Sequence, residues 1–263
     1  MKTLIISIIA LTVISSQNSL ATTTTMYAKR VNAAFQDSSK QSIQTQIMDA
    51  FMSSFVEQNN SKMTSLINEL ASSYKESENS LFLYWEGYAL YYNCIISLKN
   101  SDRESAHTEL TKAIKTLESI ERKNSEDYAL LSMLESFSCQ FLGFPEVIQA
   151  SKNATTYIER AIELDENNLR AYYVLANNDY YTPDNYGGGK NVEKYALKAI
   201  SLPAQKVNNP YLPSWGRQES YELITNHYIK QKDTEKAKKY VEQGLNEYPN
   251  SYVLKSNEAK LSR

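Results

Sequence analysis

The chain has 263 residues, of which 42% are hydrophobic and 22% charged, and its formal net charge is −2. Lys/Arg and Asp/Glu are mixed evenly along it, which is the pattern of solvated helix faces and offers no basic patch for a nucleic-acid backbone. With two histidines, two cysteines and no HExxH, GxSxG or CxxC, neither a hydrolase, a metal site nor a bound cofactor is expected.

Lys2 precedes an unbroken apolar run, Leu4 to Ile14, and Ser19-Leu20-Ala21 places small residues at the two positions that signal peptidase reads. Residues 1–21 are therefore expected to be a signal peptide cleaved after Ala21, giving a periplasmic or secreted bacterial protein. At about 1.5 Å per residue the run covers only about half of a hydrocarbon core about 30 Å thick, so no membrane span is expected to remain after its removal. No Cys stands after the cut to carry a lipid. Residues 22–37 are polar and predict a flexible N-terminus.

Organised structure is expected from Ser38, where Ser38-x-x-Gln41 reads as a capping box. Residues 38–76 predict a helical hairpin that caps the later hairpins of the chain: Ile43, Ile47, Ala50, Phe51 and Phe55 form one stripe, Asn59-Asn60-Ser61 breaks it, and Met63, Leu66, Ile67, Leu70 and Tyr74 form the next. Residues 80–123 repeat the shape with Leu83, Gly87 and Leu90 on one helix and Ala106, Leu110 and Ala113 on another, opened by Ser101-x-x-Glu104. Residues 125–167 pair Leu130, Leu134, Phe137 and Phe141 with Ala154, Ile158 and Ala161, and residues 168–202 pair Tyr172, Leu175 and Ala176 with Val192, Ala196 and Ala199. A Pro-rich loop, 203–217, leads to a last hairpin, 218–251, and residues 252–263 are a tail or a capping helix.

The last hairpin is the most regular. Tyr221, Ile224, Thr225 and Tyr228 fall at i, i+3, i+4 and i+7, Ala237, Val241 and Gly244 come next at i, i+4 and i+7, and Pro249 closes the unit. Small residues at such intervals let two helices approach closely, and Ala106, Ala154 and Ala237 hold that place in three hairpins. In this pattern the chain resembles the tetratricopeptide repeat (TPR) family, fully in 218–251 and partly in 81–202, where turns are longer and Glu166 stands in place of a closing Pro. The resemblance implies an all-α, right-handed α-solenoid of TPR-like hairpins, and a non-catalytic scaffold that binds a protein or peptide on its concave face.

In that family the groove is lined by first-helix positions next to the packing ones. Here those positions hold Tyr84, Tyr88, Tyr91 and Tyr92, then Tyr173, Asn177, Tyr180 and Tyr181, in a chain with twenty tyrosines. An aromatic groove with hydroxyls suits peptides or sugars; the alternative is that the rings pack between repeats, with Trp85 in the core. The 203–217 loop carries Pro203, Pro210 and Pro213, which forbid a helix, and its Trp215 either walls the groove or fills a gap beneath the last repeat.

Three of the seven glycines sit in Thr182-Pro183-Asp184-Asn185-Tyr186-Gly187-Gly188-Gly189-Lys190. This turn is similar to a Pro-x-x-x-Gly-Gly turn of exported bacterial repeat proteins, including the repeat subunits accompanying tripartite periplasmic (TRAP-type) transporters. That similarity implies a second reading, a transporter-associated subunit binding a small anionic ligand at the amides of Gly187, Gly188 and Gly189 with Lys190 beside them. The other role for the glycines is conformational, since they take backbone angles that other residues avoid. Two further readings are a structural part of an envelope complex and a hydrolase whose carboxylate pair only folding would reveal. Cys94 and Cys139 are expected to be free thiols rather than a bridge.

Overall fold

The computed structural model describes residues 41–57, 59–205 and 209–262. The segments expected to be a signal peptide, a flexible N-terminus and a cap at Ser38 lie outside the described residues. The chain divides at Ser42/Ile43, and the helices belong to the unit that begins at Ile43.

Among the described residues the fold is all-α. The helices are α1 (Ile43–Glu57), α2 (Ser61–Ser77), α3 (Leu81–Lys99), α4 (Arg103–Glu118), α5 (Ser125–Ser138), α6 (Glu146–Leu164), α7 (Leu169–Tyr181), α8 (Val192–Ser201), α9 (Arg217–Gln231), α10 (Thr234–Glu247) and α11 (Tyr252–Leu261), with one 3-10 turn at Asp184–Tyr186. The closest neighbours are α3 with α4, α5 with α6, α7 with α8 and α9 with α10, four helical hairpins. The first helices of successive hairpins also touch in series, α1 to α3, α3 to α5, α5 to α7, α7 to α9 and α9 to α11. Residues on those first helices can therefore meet their counterparts on the next.

Local chemistry sets the helix starts. Asp102, Asn124, Asn168, Asp233 and Ser251 each accept from a backbone N–H in the first turn of the helix they precede, an arrangement worth about 1 kcal/mol per cap. Asn124 is half of a full capping box, since the Asp127 carboxylate accepts from the Asn124 N–H at 2.8 Å. The Ser101-x-x-Glu104 expectation is corrected by one residue: Ser101 has φ 63° and ends the turn, while Asp102 takes the Ser105 N–H at 3.0 Å. The third stripe also ends earlier than its periodicity suggests, with α5 stopping at Ser138 and Phe141 lying in the turn beyond.

Close approach within hairpins depends on small residues. A Cβ on Gly87 of α3 would meet Leu117 Cγ of α4 at 2.9 Å, and one on Gly244 of α10 would meet Leu254 Cδ1 at 2.7 Å and Tyr221 Cβ at 3.0 Å. Ala106, Ala154 and Ala237 are all buried in the corresponding seams. Large side chains fill the space between first helices instead: Trp85, Tyr84, Tyr88 and Tyr228 are among the largest fully buried residues. The last residues form a true helix, α11, whose Leu254 covers Gly244 and closes the apolar end of the last hairpin.

Candidate functional site

The described residues of the 203–217 segment, 203–205 and 209–217, do not hang free at the surface. Prolines keep most of these residues out of a helix, so their backbone groups must find partners elsewhere, and the first helices supply several of them. The Trp85 indole N–H donates to the Tyr211 carbonyl at 2.8 Å. The Ser214 and Trp215 backbone N–H groups both donate to Oε1 of Gln44 on α1, at 2.8 and 3.1 Å. Arg170 of α7, buried and held by both carboxylate oxygens of Glu126, donates from Nη1 to the carbonyls of Ala204 and Trp215 at 2.9 and 3.2 Å. Gln205 closes the loop on itself by donating to Asn209 and Leu212 carbonyls at 3.0 and 2.6 Å.

This strap carries Trp215 into the face made by the first helices. Its ring stacks on Tyr88 at 5.7 Å with an interplanar angle of 26° and meets Tyr173 edge-on at 5.9 Å. Its indole N–H donates to the Tyr84 hydroxyl at 2.8 Å. Tyr84 and Tyr88, candidates either for the groove lining or for packing between repeats, and Trp215, a candidate groove wall or gap filler, are 1%, 2% and 3% exposed. Tyr84 and Tyr88 are correspondingly the packed floor beneath the strap's Trp215, and no ligand reaches them without displacing it. Trp85 is fully buried, as its place beside Gly87 suggested.

Beyond the strap the same face stays half-open. Tyr92 and Tyr91 of α3, Tyr173 of α7 and Glu219 and Glu222 of α9 are all half-buried. Rings touch across the helices: Tyr92 meets Phe51 of α1 at 4.8 Å, Tyr88 at 5.0 Å and Tyr91 at 5.4 Å, and Tyr91 meets Phe137 of α5 at 5.1 Å. The Tyr88 and Tyr92 hydroxyls are 3.3 Å apart. Tyr181, at the end of α7 and 71% exposed, lies near enough for its hydroxyl to act on Tyr91. Tyr180 turns toward α9 instead, against His227 and under the Lys230 ammonium, and Asn177 is half-buried on the same helix.

Burial raises the phenols of Tyr88, Tyr91, Tyr92 and Tyr173 well above their usual range, and the nearby carboxylates add to the shift. The hydroxyls therefore remain neutral donors and acceptors at physiological pH. Desolvation pushes Glu219 up to about 7, opposed by the N–H groups it accepts from and by Arg170. Its Oε2 accepts from the Gly216 N–H at 2.6 Å, while Glu222 Oε1 accepts from Gln218 and Ser251 at 2.9 and 2.7 Å. These two acids, together with Phe51 and Phe137, were not among the expected site residues. Glu219 had a local signal, since it stands three residues after Gly216 at a helix start; its nearness to α3 and α7 depends on how distant hairpins stack.

Of the two readings of the glycine turn, the structure favours the conformational one over the anion cradle. The N–H of Gly187 donates to Asp184, that of Gly188 to Pro183 and that of Gly189 to Asp179, at 3.0, 3.3 and 2.9 Å. The Asp179 carboxylate already caps the start of α8, accepting from the Asn191 N–H at 2.7 Å. A side chain on Gly188 would put its Cβ 1.9 Å from the Thr182 carbonyl oxygen, and Gly187 and Gly189 have φ of 90° and 80°. Here the glycines serve the backbone, and Lys190 is exposed beside a turn whose amides are spent.

Cys94 and Cys139 are free thiols, the first buried and the second half-buried. His107 stacks on Phe141 at 5.3 Å, and His227 is held below its usual pKa by burial with Gln231 2.9 Å from its Nε2. Among the described residues no three His, Cys, Asp or Glu side chains group as metal ligands, and no helix is long and apolar enough to cross a membrane.

No protein-family model matches the chain, and no curated protein matches it. Among solved structures it is similar to the HusA haemophore from Porphyromonas gingivalis, with a TM-score of 0.50 over 71% of this chain and 93% of that one, at 22% identity. Likeness at that identity is a likeness of fold.

Proposed function

We propose that the chain is an exported, non-catalytic binding protein, a right-handed α-solenoid of TPR-like hairpins whose tyrosine wall takes a small ligand with a broad, flat apolar face. The observation that carries this reading is the half-open wall of rings from four successive first helices, Phe51, Tyr91, Tyr92, Phe137 and Tyr173, the last packed against Trp215 of the strap. Rings fixed in this way lose little freedom on binding, and neutral hydroxyls among them orient a flat ligand without charge. A tetrapyrrole such as haem is the first candidate, supported by the shared fold with a haemophore.

The protein-or-peptide scaffold reading draws less support, because the strap covers Tyr84 and Tyr88, part of the face on which such a partner was expected to lie. The anionic-ligand version tied to the glycine turn is weakened in the same way by the engaged amides. The test is an absorbance titration of the chain starting at Thr22 with haemin. The reading expects a saturable one-to-one difference spectrum, and an unsaturable, linear response would overturn it.

A further inference from the structure

Eight large apolar side chains stand exposed among the described residues, and six of them share one edge. The first helices run parallel. Asn168, just ahead of α7, donates to Ser125 at the start of α5 at 2.7 Å, while the second halves of α1 and α3 meet at Phe51 and Tyr92, those of α3 and α5 at Tyr91 and Phe137, and those of α7 and α9 at Tyr180 and His227. The ends of these helices therefore lie along one edge, with the turns that lead into the second helices. Neighbouring turns touch there: the Arg103 guanidinium is 4.9 Å from the Phe141 ring, and the Lys230 ammonium is 3.8 Å from the Asp184 carboxylate. Met52 and Val56 stand on the last two turns of α1, Phe144 and Ile148 on the α5–α6 turn and the first turn of α6, and Tyr181 and Tyr186 at the end of α7 and in the turn after it. The other two, Leu164 and Tyr252, stand at the opposite edge, at the end of α6 and the start of α11.

A single exposed apolar side chain is ordinary, but six gathered on one edge indicate a surface that meets something. They rise from three separate turns with polar residues between them in the chain. A fluid lipid interface admits such side chains one by one, whereas a protein partner packs against a continuous apolar centre. Phenylalanine and tyrosine next to lysine and arginine are also the residues that settle at the boundary between headgroups and acyl chains. Charge agrees with this. Bases and acids are about equal along the apolar edge, and several of its acids are engaged: Glu57 with Lys62, Glu193 with Lys236, and Asp102 and Asp233 with helix N–H groups. The opposite turns are acidic, with Glu76 and Glu78 after the core of α2, Glu118 and Glu121 after α4, and Glu163, Asp165 and Glu166 after α6 outnumbering Lys75, Arg122, Lys123 and Arg160. An anionic surface repels that edge and so turns the apolar one toward itself.

We propose that the edge made by the first-helix ends is a docking surface for a phospholipid bilayer with anionic headgroups, the side chains of Val56, Phe144 and Tyr186 entering the interface and those of Lys190 and Lys232 meeting phosphate. Attachment of this kind needs no spanning helix. It holds whatever the tyrosine wall binds.

The test is co-sedimentation of the chain starting at Thr22 with sucrose-loaded vesicles, either phosphatidylcholine alone or phosphatidylcholine mixed equally with phosphatidylglycerol. The chain should partition onto the mixed vesicles, several-fold more weakly onto phosphatidylcholine, and the difference should shrink as salt is raised. Val56, Phe144 and Tyr186 are 80%, 81% and 79% exposed, so replacing all three with Ser should leave the helical content intact and lower partition onto the mixed vesicles roughly tenfold or more. If that variant loses helix, Phe144→Ser alone reads the same effect, roughly threefold or more. Lys190→Gln with Lys232→Gln should weaken binding to the mixed vesicles roughly fivefold per lysine, and Tyr252→Ser, on the opposite edge, should partition like the parent. No partition of the unaltered chain onto mixed vesicles, equal partition onto both kinds, or a folded serine variant that partitions like the parent overturns the proposal. Self-association through the same side chains without lipid, in place of vesicle binding, assigns the edge to a second copy and overturns it as well.

Discussion

Replacing Trp215 with Ala tests whether the strap holds the fold together or merely decorates it. The ring is 3% exposed and packs on Tyr88 and Tyr173, and emptying such a site costs about 3–5 kcal/mol, since the walls relax only partly. The substitution also removes the donor to the buried Tyr84 hydroxyl, which adds about 1–3 kcal/mol if no water replaces it. A loss of about 5 kcal/mol would consume much of the roughly 5–15 kcal/mol by which domains are stable. Trp215→Phe keeps a ring against Tyr88 and loses the hydrogen bond, so it should cost about half as much. Equilibrium urea unfolding followed by far-UV circular dichroism reads both. A Trp215→Ala loss under about 1 kcal/mol with an unchanged slope would refute the reasoning, because a dispensable tryptophan cannot be what joins α1, α3 and α7.

Glu219 and Asp127 predict how stability depends on pH. Burial raises them to about 7 and about 6 from ordinary values of 4.5 and 3.8, so between those limits the folded chain binds protons that the unfolded chain releases. Their contribution is whole below about pH 4 and is lost as pH rises through about 6 to 7, so the urea midpoint should be lower at about pH 8 than at about pH 5, by on the order of 2 kcal/mol in stability, and Glu219→Gln should reduce that difference. Gly188→Ala should destabilise the α7–α8 turn by more than about 1 kcal/mol, because its Cβ would meet the Thr182 carbonyl at 1.9 Å; a thermal melt unchanged from the parent would contradict the inward packing of that turn.

Helix positions were readable because their causes are local. Stripes at i, i+3 and i+4 mark helices wherever one face is buried, and Gly87, Ala106, Ala154, Ala237 and Gly244 mark the seams because a larger side chain does not fit there. The candidate site was readable only in part. Tyr91, Tyr92 and Tyr173 could be named from their place beside packing positions, but the fates of Tyr84 and Tyr88 depend on Trp215, more than a hundred residues away, and no local pattern encodes that hydrogen bond. The glycine turn illustrates the opposite difficulty. Its composition fits both an anion cradle and a tight reversal, and what separates them is that the glycine amides meet the carbonyls of Asp184, Pro183 and Asp179, which the composition of the turn does not specify.

The central claim is that the half-open tyrosines, rather than the turn or the helices behind them, meet the ligand. It is tested most directly by haemin titration of Tyr91→Ala, Tyr92→Ala and Gly189→Ala, with Tyr252→Ala, 82% exposed on α11, as a control. Each of the two wall variants, removing a ring worth about 1–3 kcal/mol of contact, should weaken binding by roughly tenfold or more while circular dichroism stays that of a folded helical chain. The Gly189 and Tyr252 variants should bind like the parent. Undiminished binding by both wall variants, or loss confined to Gly189→Ala, would contradict the account.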